Sequence, residues 1–155
     1  MKYRRSASCC LGLILLLFGF SRLANAGEAC GGETCNGNNT CDPNNCVVTL
    51  SHSGNLVMIQ VQTTNGIQPV SGYFCVAKGK SMKWQTKEDS AIVKFASSPF
   101  IGGKTTLSAT ATSAVKVKSG NPGCYPFSAV VCKAAADTTA HIECGNVDPR
   151  VVIKP

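Results

Sequence analysis

The stretch that decides the fold class of this 155-residue chain is Asn55-Leu-Val-Met-Ile-Gln-Val-Gln-Thr63. The branched apolar residues Val57, Ile59 and Val61 alternate with longer side chains that include two glutamines. This period of two predicts a β-strand that buries one face and exposes the other.

The same alternation recurs along the rest of the chain. In residues 113–119, Val115 and Val117 alternate with Lys116 and Lys118. Further strands are predicted over residues 47–51, 72–77, 81–85, 91–96, 105–110, 127–133, 139–143 and 151–154. Because the strands are short and Gly, Pro, Asn and Ser separate them, the sequence predicts an all-β sandwich or barrel. Of the two we expect a single antiparallel β-sandwich over residues 47–155.

The N-terminus has the organisation of a cleavable secretory signal peptide over residues 1–26. Basic residues that include Arg4 and Arg5 precede an apolar run, residues 11–20, that is too short to span a bilayer. The tripeptide Ala24-Asn-Ala26 then supplies the small residues that a signal peptidase accepts. We therefore expect a secreted, periplasmic or extracellular protein that begins at Gly27 and has no membrane span after cleavage.

Eight cysteines remain after removal of the signal peptide. They are Cys30, Cys35, Cys41, Cys46, Cys75, Cys124, Cys132 and Cys144. An even number of cysteines in an exported chain predicts a disulfide framework, although the spacing leaves the pairing open. Cys132 and Cys144 lie on adjacent predicted strands and form one candidate bridge, and Cys75 and Cys124 form another.

Four of these cysteines fall within a distinct segment, residues 27–46, which we call the cap. The residues between its cysteines are mostly Gly, Asn, Thr, Asp and Pro, which favour turns and cannot bury an apolar face. We therefore expect an irregular, disulfide-rich cap that precedes the sandwich. Whether its bridges close within the cap or reach the sandwich stays open at this stage.

Most of the positive charge of the chain belongs to the signal peptide. The chain has fifteen Lys and Arg against eight Asp and Glu, and removal of four basic residues with the signal leaves a net charge of +3. The remaining lysines Lys78, Lys80, Lys83 and Lys87 cluster around one loop, for which a solvated face is the simplest interpretation. No nucleic-acid partner is expected.

The segment Met82-Lys-Trp-Gln-Thr-Lys-Glu-Asp-Ser-Ala-Ile-Val-Lys-Phe95, with Pro99-Phe100 after it, resembles the central strands of cupredoxin-like β-sandwiches. The closing segment Asp148-Pro-Arg-Val-Val-Ile153 is similar to the last strand of exported bacterial members that lack metal. The resemblance covers residues 46–155 and implies a cupredoxin-like topology. An immunoglobulin-like sandwich would give many of the same signals.

The copper site of that family can be tested on this sequence. A blue-copper centre uses two histidines, a cysteine thiolate and usually a weak axial methionine. Residues 90–92 are Ser, Ala and Ile where the resemblance places the first histidine, no histidine closely follows Cys124, and no methionine follows Met82. The sequence therefore predicts no metal site and no cofactor.

Other chemistries find equally little support. His141 and Cys144 would be half of a zinc site, but a cysteine in an exported chain is usually oxidised. No Gly-x-Ser-x-Gly nucleophile motif occurs. The aromatic residues Trp84, Tyr73 and Tyr125 could form a platform for sugars, although packing in the core is the simpler interpretation. We expect no enzyme and assign no catalytic residue.

The expected function is that of a non-enzymatic binding or structural module of the cell envelope or the extracellular space. Its partner would be a protein or glycan at the cell surface, or another copy in a self-assembling surface subunit. Two alternatives stay open. One is an electron carrier with a non-standard copper site built from His141, His52 and a free cysteine. The other is a disulfide-rich inhibitor or effector that presents the cap to a target.

Overall fold

The computed structural model of the protein describes residues 32–54, 56–134 and 142–155. The predicted signal peptide, Cys30 and His141 lie outside these residues. The described residues form eleven β-strands and no helix. Accordingly, no described segment is a helix long and apolar enough to cross a membrane.

The strands follow the predicted segments closely. They are β1 (Cys46–Ser53), β2 (Leu56–Thr63), β3 (Gly66–Pro69), β4 (Tyr73–Ala77), β5 (Ser81–Thr86), β6 (Ser90–Phe95), β7 (Thr106–Thr110), β8 (Val115–Lys118), β9 (Gly123–Ala134), β10 (Ile142–Val147) and β11 (Arg150–Lys154). All except β3 overlap a segment that alternation predicts. β3 has only four residues and ends in a proline, so it shows too little of the period to be detected.

The strands form two mixed sheets. The first sheet contains β4, β11 and the first residues of β9. The second sheet runs from β8 through β5, β1 and β2 to β10, the rest of β9, β6 and β7, with β3 beside β2. The all-β prediction is therefore confirmed.

The prediction of a purely antiparallel arrangement is wrong. β1 runs parallel to β5 with Val48 opposite Trp84, and β4 runs parallel to β11 with Cys75 opposite Val152. A further parallel pairing joins β10 to β2 at Asn146 and Leu56. Alternation reports which side chains are buried but carries no information on strand direction, so the sequence pattern could not reveal these pairings.

One long strand connects the two sheets. β9 pairs antiparallel with β11 from Gly123 to Pro126, and from Phe127 onward it pairs with β6. Pro126 has no backbone N–H to donate, while the Phe127 N–H donates to the carbonyl of Pro149 at 3.0 Å. The change of partner at this proline lets a single strand take part in both sheets.

The centre of the core is a cluster of aromatic rings around Trp84 of β5. Its ring centroid lies 6.0 Å from Phe74, 6.0 Å from Phe95 and 5.4 Å from Phe127, with tilted or edge-to-face geometry. Phe74 belongs to the first sheet and Phe95 to β6 of the second sheet. Trp84 of β5 therefore packs against residues from both sheets. Since β5 and β6 are far apart in the strand order, their contact shows that the second sheet curves around the core.

A second, smaller apolar cluster lies on the outer face of the first sheet. Cys75, Val152 and Cys124 form a row across β4, β11 and β9 in this cluster, with Cys35 and Tyr73 packed against it. Cys75 is fully buried although its strand is at the edge of the sheet. The cap therefore shields this outer face from water.

Backbone hydrogen bonds dock the cap onto both sheets. The Cys41 N–H donates to the carbonyl of Cys75 at 2.8 Å, and the Cys75 N–H donates to the carbonyl of Asn39 at 2.8 Å. On the other side, the Asp42 N–H donates to the carbonyl of Gln62 in β2 at 2.9 Å. The cap thus joins β4 of the first sheet to β2 of the second.

Replacing Trp84 should destabilise the fold strongly. Trp84 is 1% exposed, and Trp84→Ala would remove its contacts with three other aromatic rings. We expect a loss of about 3–5 kcal/mol in the free energy of unfolding, measured by urea denaturation. Trp84→Phe should lose less stability. It keeps an aromatic ring at this place and removes a buried indole N–H that has no partner among the described residues. As a control, Ile92→Ala on the exposed face of β6 should cost far less. Similar losses for Trp84→Ala and Ile92→Ala would contradict the central role of Trp84.

Tyr125 should make the stability sensitive to alkaline pH. Its side chain is buried, and its hydroxyl donates to the carbonyl of Asn121 at 2.9 Å. Burial raises the pKa of Tyr125 above its ordinary value of about 10, because the phenolate loses its hydration. The folded state therefore holds the proton more tightly, and stabilisation that is complete below the unfolded pKa is lost as the pH rises through the folded pKa.

Urea denaturation of the wild type and Tyr125→Phe from pH 7 to pH 11 tests this effect. At pH 7 the variant should be less stable by about 1 kcal/mol, because it lacks the hydrogen bond. Above about pH 10 the wild type should lose this advantage, because only the wild type has an ionisable phenol at position 125, and that phenol loses its proton more readily in the unfolded state. A stability difference that stays constant up to pH 11 would contradict the prediction.

Candidate functional site

The cysteines, which are the residues singled out by the sequence, form a framework of disulfide bonds. The bridges between described residues are Cys35–Cys75, Cys41–Cys46 and Cys132–Cys144. Cys124 is also disulfide-bonded. Within the described part of the cap, one bridge is internal and another reaches β4, so the cap is bridged both within itself and to the sandwich.

One of the two candidate pairings is present and the other is wrong. Cys132 and Cys144 are directly opposite in the antiparallel pair β9–β10 and are bonded. Cys75 bonds instead to Cys35, because Val152 of β11 lies between Cys75 and Cys124 in the first sheet. Two strand spacings separate those cysteines by about 10 Å, which exceeds the reach of a disulfide.

The bridges differ in how much of the chain they restrain. Cys35–Cys75 spans 40 residues, whereas Cys41–Cys46 spans five. In the chain-entropy model these separations correspond to about 4 and about 2 kcal/mol of stabilisation. The long bridge anchors the cap to the sheet, and the short one stiffens the loop that the cap exposes.

The candidate metal ligands are not brought together among the described residues. His52 lies in β1, where its backbone N–H donates to Glu88 Oε1 at 3.3 Å and its Nε2 is buried without a partner from the described residues. His141 lies outside these residues. No group of three or more His, Cys, Asp or Glu side chains that could hold a metal ion occurs in the described part of the chain.

The three aromatic residues do not form an exposed platform. Trp84 and Tyr125 are buried in the core. Tyr73 packs beneath the cap, and its hydroxyl donates to the carbonyl of Thr34 at 3.0 Å. The interpretation of these residues as packing residues is therefore confirmed.

The clustered lysines take part in a polar depression on the outer side of the second sheet. Lys80 and Lys83 line it together with Lys116 of β8, and residues 43–46 of the cap form the opposite wall. The depression has a volume of about 470 Å³. Lys78 and Lys87, which belong to the same cluster in the sequence, do not line it.

Two of these lysines form an unfavourable pair. Lys83 and Lys116 are directly opposite in the antiparallel pair β5–β8, and both side chains are exposed. Like charges at opposing positions destabilise a sheet. No Asp or Glu among the described residues lines the depression. The ion pair between described side chains joins Arg150 of β11 to Glu33 of the cap, and neither residue lines the depression. The depression therefore has uncompensated positive charge.

A second depression, of about 360 Å³, adjoins the first and shares Asn45 and Lys83 with it. Its walls carry amide and hydroxyl side chains from neighbouring strands. We call the combined surface of the two depressions the lysine–amide face, whose polar side chains include Thr49, Gln60, Gln62, Lys80, Lys83, Gln85 and Lys116. Gln85 Nε2 donates to Thr49 Oγ1 at 3.1 Å, so part of the face is ordered by its own hydrogen bonds.

The lysine–amide face can bind an anionic, hydrogen-bonding ligand. Lysines supply positive charge, and the amides supply both donors and acceptors. The sequence pattern places Gln60, Gln62 and Lys116 on the outward side of their strands but not next to one another. β2 pairs with β1, β1 pairs with β5, and β5 pairs with β8, which brings these residues onto one face. The β1–β5 and β5–β8 pairings have no signal in the local sequence.

Comparison with known proteins finds no family model that matches the chain and no curated protein that matches it.

Removing the like-charge pair should stabilise the fold. Lys116→Glu replaces the repulsion at Lys83 with attraction, so we expect the free energy of unfolding to rise by about 0.2–1 kcal/mol at low ionic strength. The gain should shrink in about 1 M salt, where screening is strong. Lys118→Glu is a matched control, because it makes the same charge change opposite Ser81. Equal gains in urea denaturation for the two variants would contradict a specific repulsion between Lys83 and Lys116.

Proposed function

We propose that the protein is an exported, non-enzymatic binding module of the cell envelope or extracellular space, which contacts its partner through the lysine–amide face. The observation that carries the proposal is the positive charge of this face. Lys83 and Lys116 oppose each other, and no carboxylate of the described residues lines the depression beside them. Such a pair reduces the stability of the fold and becomes favourable when an anionic group binds between the lysines.

Export is supported by two independent features of the chain. Residues 1–26 have the sequence of a signal peptide. The three disulfide bonds between described residues suit an oxidising compartment, because thiols are kept reduced in the cytosol. Export from the cytosol, with removal of the signal peptide and formation of the disulfide bonds, accounts for both features.

The finer fold assignment belongs to the same proposal. We infer a sandwich with a cupredoxin-like topology, in which Trp84, Phe95 and Phe100 hold the places of the family's strand Trp, strand-end Phe and Pro-Phe turn. All three residues are buried, and the Phe95 ring centroid lies 5.1 Å from that of Phe100 and 6.0 Å from that of Trp84. These contacts support the resemblance at the residues that suggested it.

A binding role accounts for the residues better than electron transfer does. The copper-carrier alternative needs a free thiolate beside His52 and His141, but every described cysteine is disulfide-bonded. The residues at the family's first histidine position include Ala91, which is buried, and Ile92, which points outward from β6. We therefore assign no redox role to the chain.

A second candidate function is supported by the cap. The Cys41–Cys46 bridge closes a short loop whose residues Pro43, Asn44 and Asn45 are exposed. A rigid exposed loop is a suitable contact element for an inhibitor or effector, because little entropy is lost when it binds. In that case Asn44→Ala should weaken target binding, while a substitution at Gln60 leaves it unchanged.

The experiment for the main proposal measures how the exported protein partitions between the cell surface and the medium. The full chain and the variant Gln60→Trp are expressed in the producing organism, and both fractions are quantified. The bulky ring covers the lysine–amide face at a half-buried strand position where aromatic residues are tolerated. We expect the wild type to be retained at the surface and the variant to be released into the medium.

Ser108→Trp is the control, because it adds the same ring at an exposed strand position in β7. This variant should be retained like the wild type. Equal retention of the two variants would overturn the assignment of the face. Intact mass of the exported chain adds a second test: a chain that begins at Gly27 and takes up no alkylating reagent supports the proposal, and an unprocessed or alkylated chain contradicts it.

A further inference from the structure

We infer that the lysine–amide face binds an acidic polysaccharide, with the acidic groups in the lysine depression and the sugar hydroxyls on the amide side chains. This inference rests on the proposed binding function and specifies the chemical class of its ligand. It combines three features of the face, which are its charge, its rigid wall and its amides.

The first feature is the position of the positive charges. Lys80 approaches the depression from the turn between β4 and β5, while Lys83 and Lys116 approach from opposing strands. The ammonium groups of all three are free of carboxylate partners among the described residues. Three flexible cations around one opening suit a carboxylate or sulfate carried on a chain, because each lysine acts as a mobile point charge.

The second feature is the opposite wall, which the Cys41–Cys46 bridge stiffens. Asp42 precedes the lining residue Pro43 in the sequence and is used within this loop, where its Oδ1 accepts hydrogen bonds from the N–H groups of Asn44 at 2.8 Å and Asn45 at 3.3 Å. Its carboxylate is thus committed to the turn and does not line the depression. The exposed amide side chains of Asn44 and Asn45 remain available at the rim.

The third feature is the row of amides that extends from the lysines across the sheet. β5, β1 and β2 are adjacent, so Gln85 and Gln60 flank Thr49 over two strand spacings, about 10 Å. Amide and hydroxyl groups donate and accept hydrogen bonds, as sugar hydroxyls do. A ligand that lies across these strands contacts hydrogen-bonding groups along its length and positive charge at one end.

The composition of the face distinguishes this ligand from other anions. Binding of single-stranded nucleic acid relies on exposed aromatic rings for base stacking, but the large exposed hydrophobic side chains of the described residues include no aromatic. A protein partner is typically anchored by aromatic side chains, whereas the apolar residues that line the second depression are the aliphatic Val47 and Ile67. A hydrophilic, negatively charged chain that carries hydroxyl groups and no aromatic bases fits the face best.

Binding of the purified exported chain to polygalacturonate, measured by isothermal titration calorimetry, tests the inference. Dextran serves as the neutral polysaccharide and single-stranded DNA as the polyanion without a polysaccharide backbone. We expect polygalacturonate to bind at least tenfold more tightly than either, with an affinity that falls as salt is raised. The double variant Lys83→Gln/Lys116→Gln should weaken this binding at least tenfold.

The matched control is Lys94→Gln/Lys104→Gln, which removes the same charge from exposed positions outside the face. Its affinity for polygalacturonate should stay within about twofold of the wild type, an expectation that follows from screening between distant charges. The double variant Gln60→Ala/Gln85→Ala, which keeps all lysines, should also weaken binding to polygalacturonate.

The outcomes separate this inference from the proposed function. DNA binding as tight as polygalacturonate binding, or equal losses in the two lysine variants, would show a non-specific cation surface and overturn the inference. Absence of polygalacturonate binding would overturn it as well. If Gln60→Trp still releases the protein from the cell surface in that case, the face binds a ligand of another class and the proposed function stands.

Discussion

The packing of Trp84 against Phe74, Phe95 and Phe127 is the interaction on which the rest of the structure depends. A sheet that exposes one face has to bury the other, and here the buried faces of two sheets meet in one set of rings. Edge-to-face packing of such rings adds to the stabilisation from burial alone. Because Trp84 lies in β5, the same packing fixes the strand whose outward residues, Lys83 and Gln85, build the lysine–amide face.

The cap supplies a second link between the sheets, outside the core. It forms hydrogen bonds with β4 on one side and β2 on the other, and the Cys35–Cys75 bridge anchors it at β4. A segment composed mainly of turn residues gains little from burial, so covalent bonds hold it in place. The functional consequence is that its exposed loop becomes a rigid wall of the lysine depression. The Cys35–Cys75 and Cys41–Cys46 bridges therefore contribute both to stability and to the shape of the candidate site.

The lysine–amide face shows how one strand contributes at once to stability and to the proposed binding site. In β5 the residues that point inward make the core, and those between them point to the lysine–amide face, because side chains alternate along a strand. The opposition of Lys83 and Lys116 works against the stability of the sheet but concentrates positive charge at one place. A rigid sheet holds these groups in position, which would limit the entropy lost on the proposed binding.

The sequence by itself determined the all-β class, the positions of the strands other than β3 and the inward or outward direction of most side chains, because a period of two is a local property of a few consecutive residues. The buried face of β2 and the outward lysines of β8 are examples. Tertiary structure decided which strands are neighbours, which run parallel, and that Cys75 pairs with Cys35 and not with Cys124. It also placed Lys116 opposite Lys83, although 33 positions in the chain separate them. Strand pairing depends on how the whole set of buried faces packs into one core, and no short stretch of sequence contains that information.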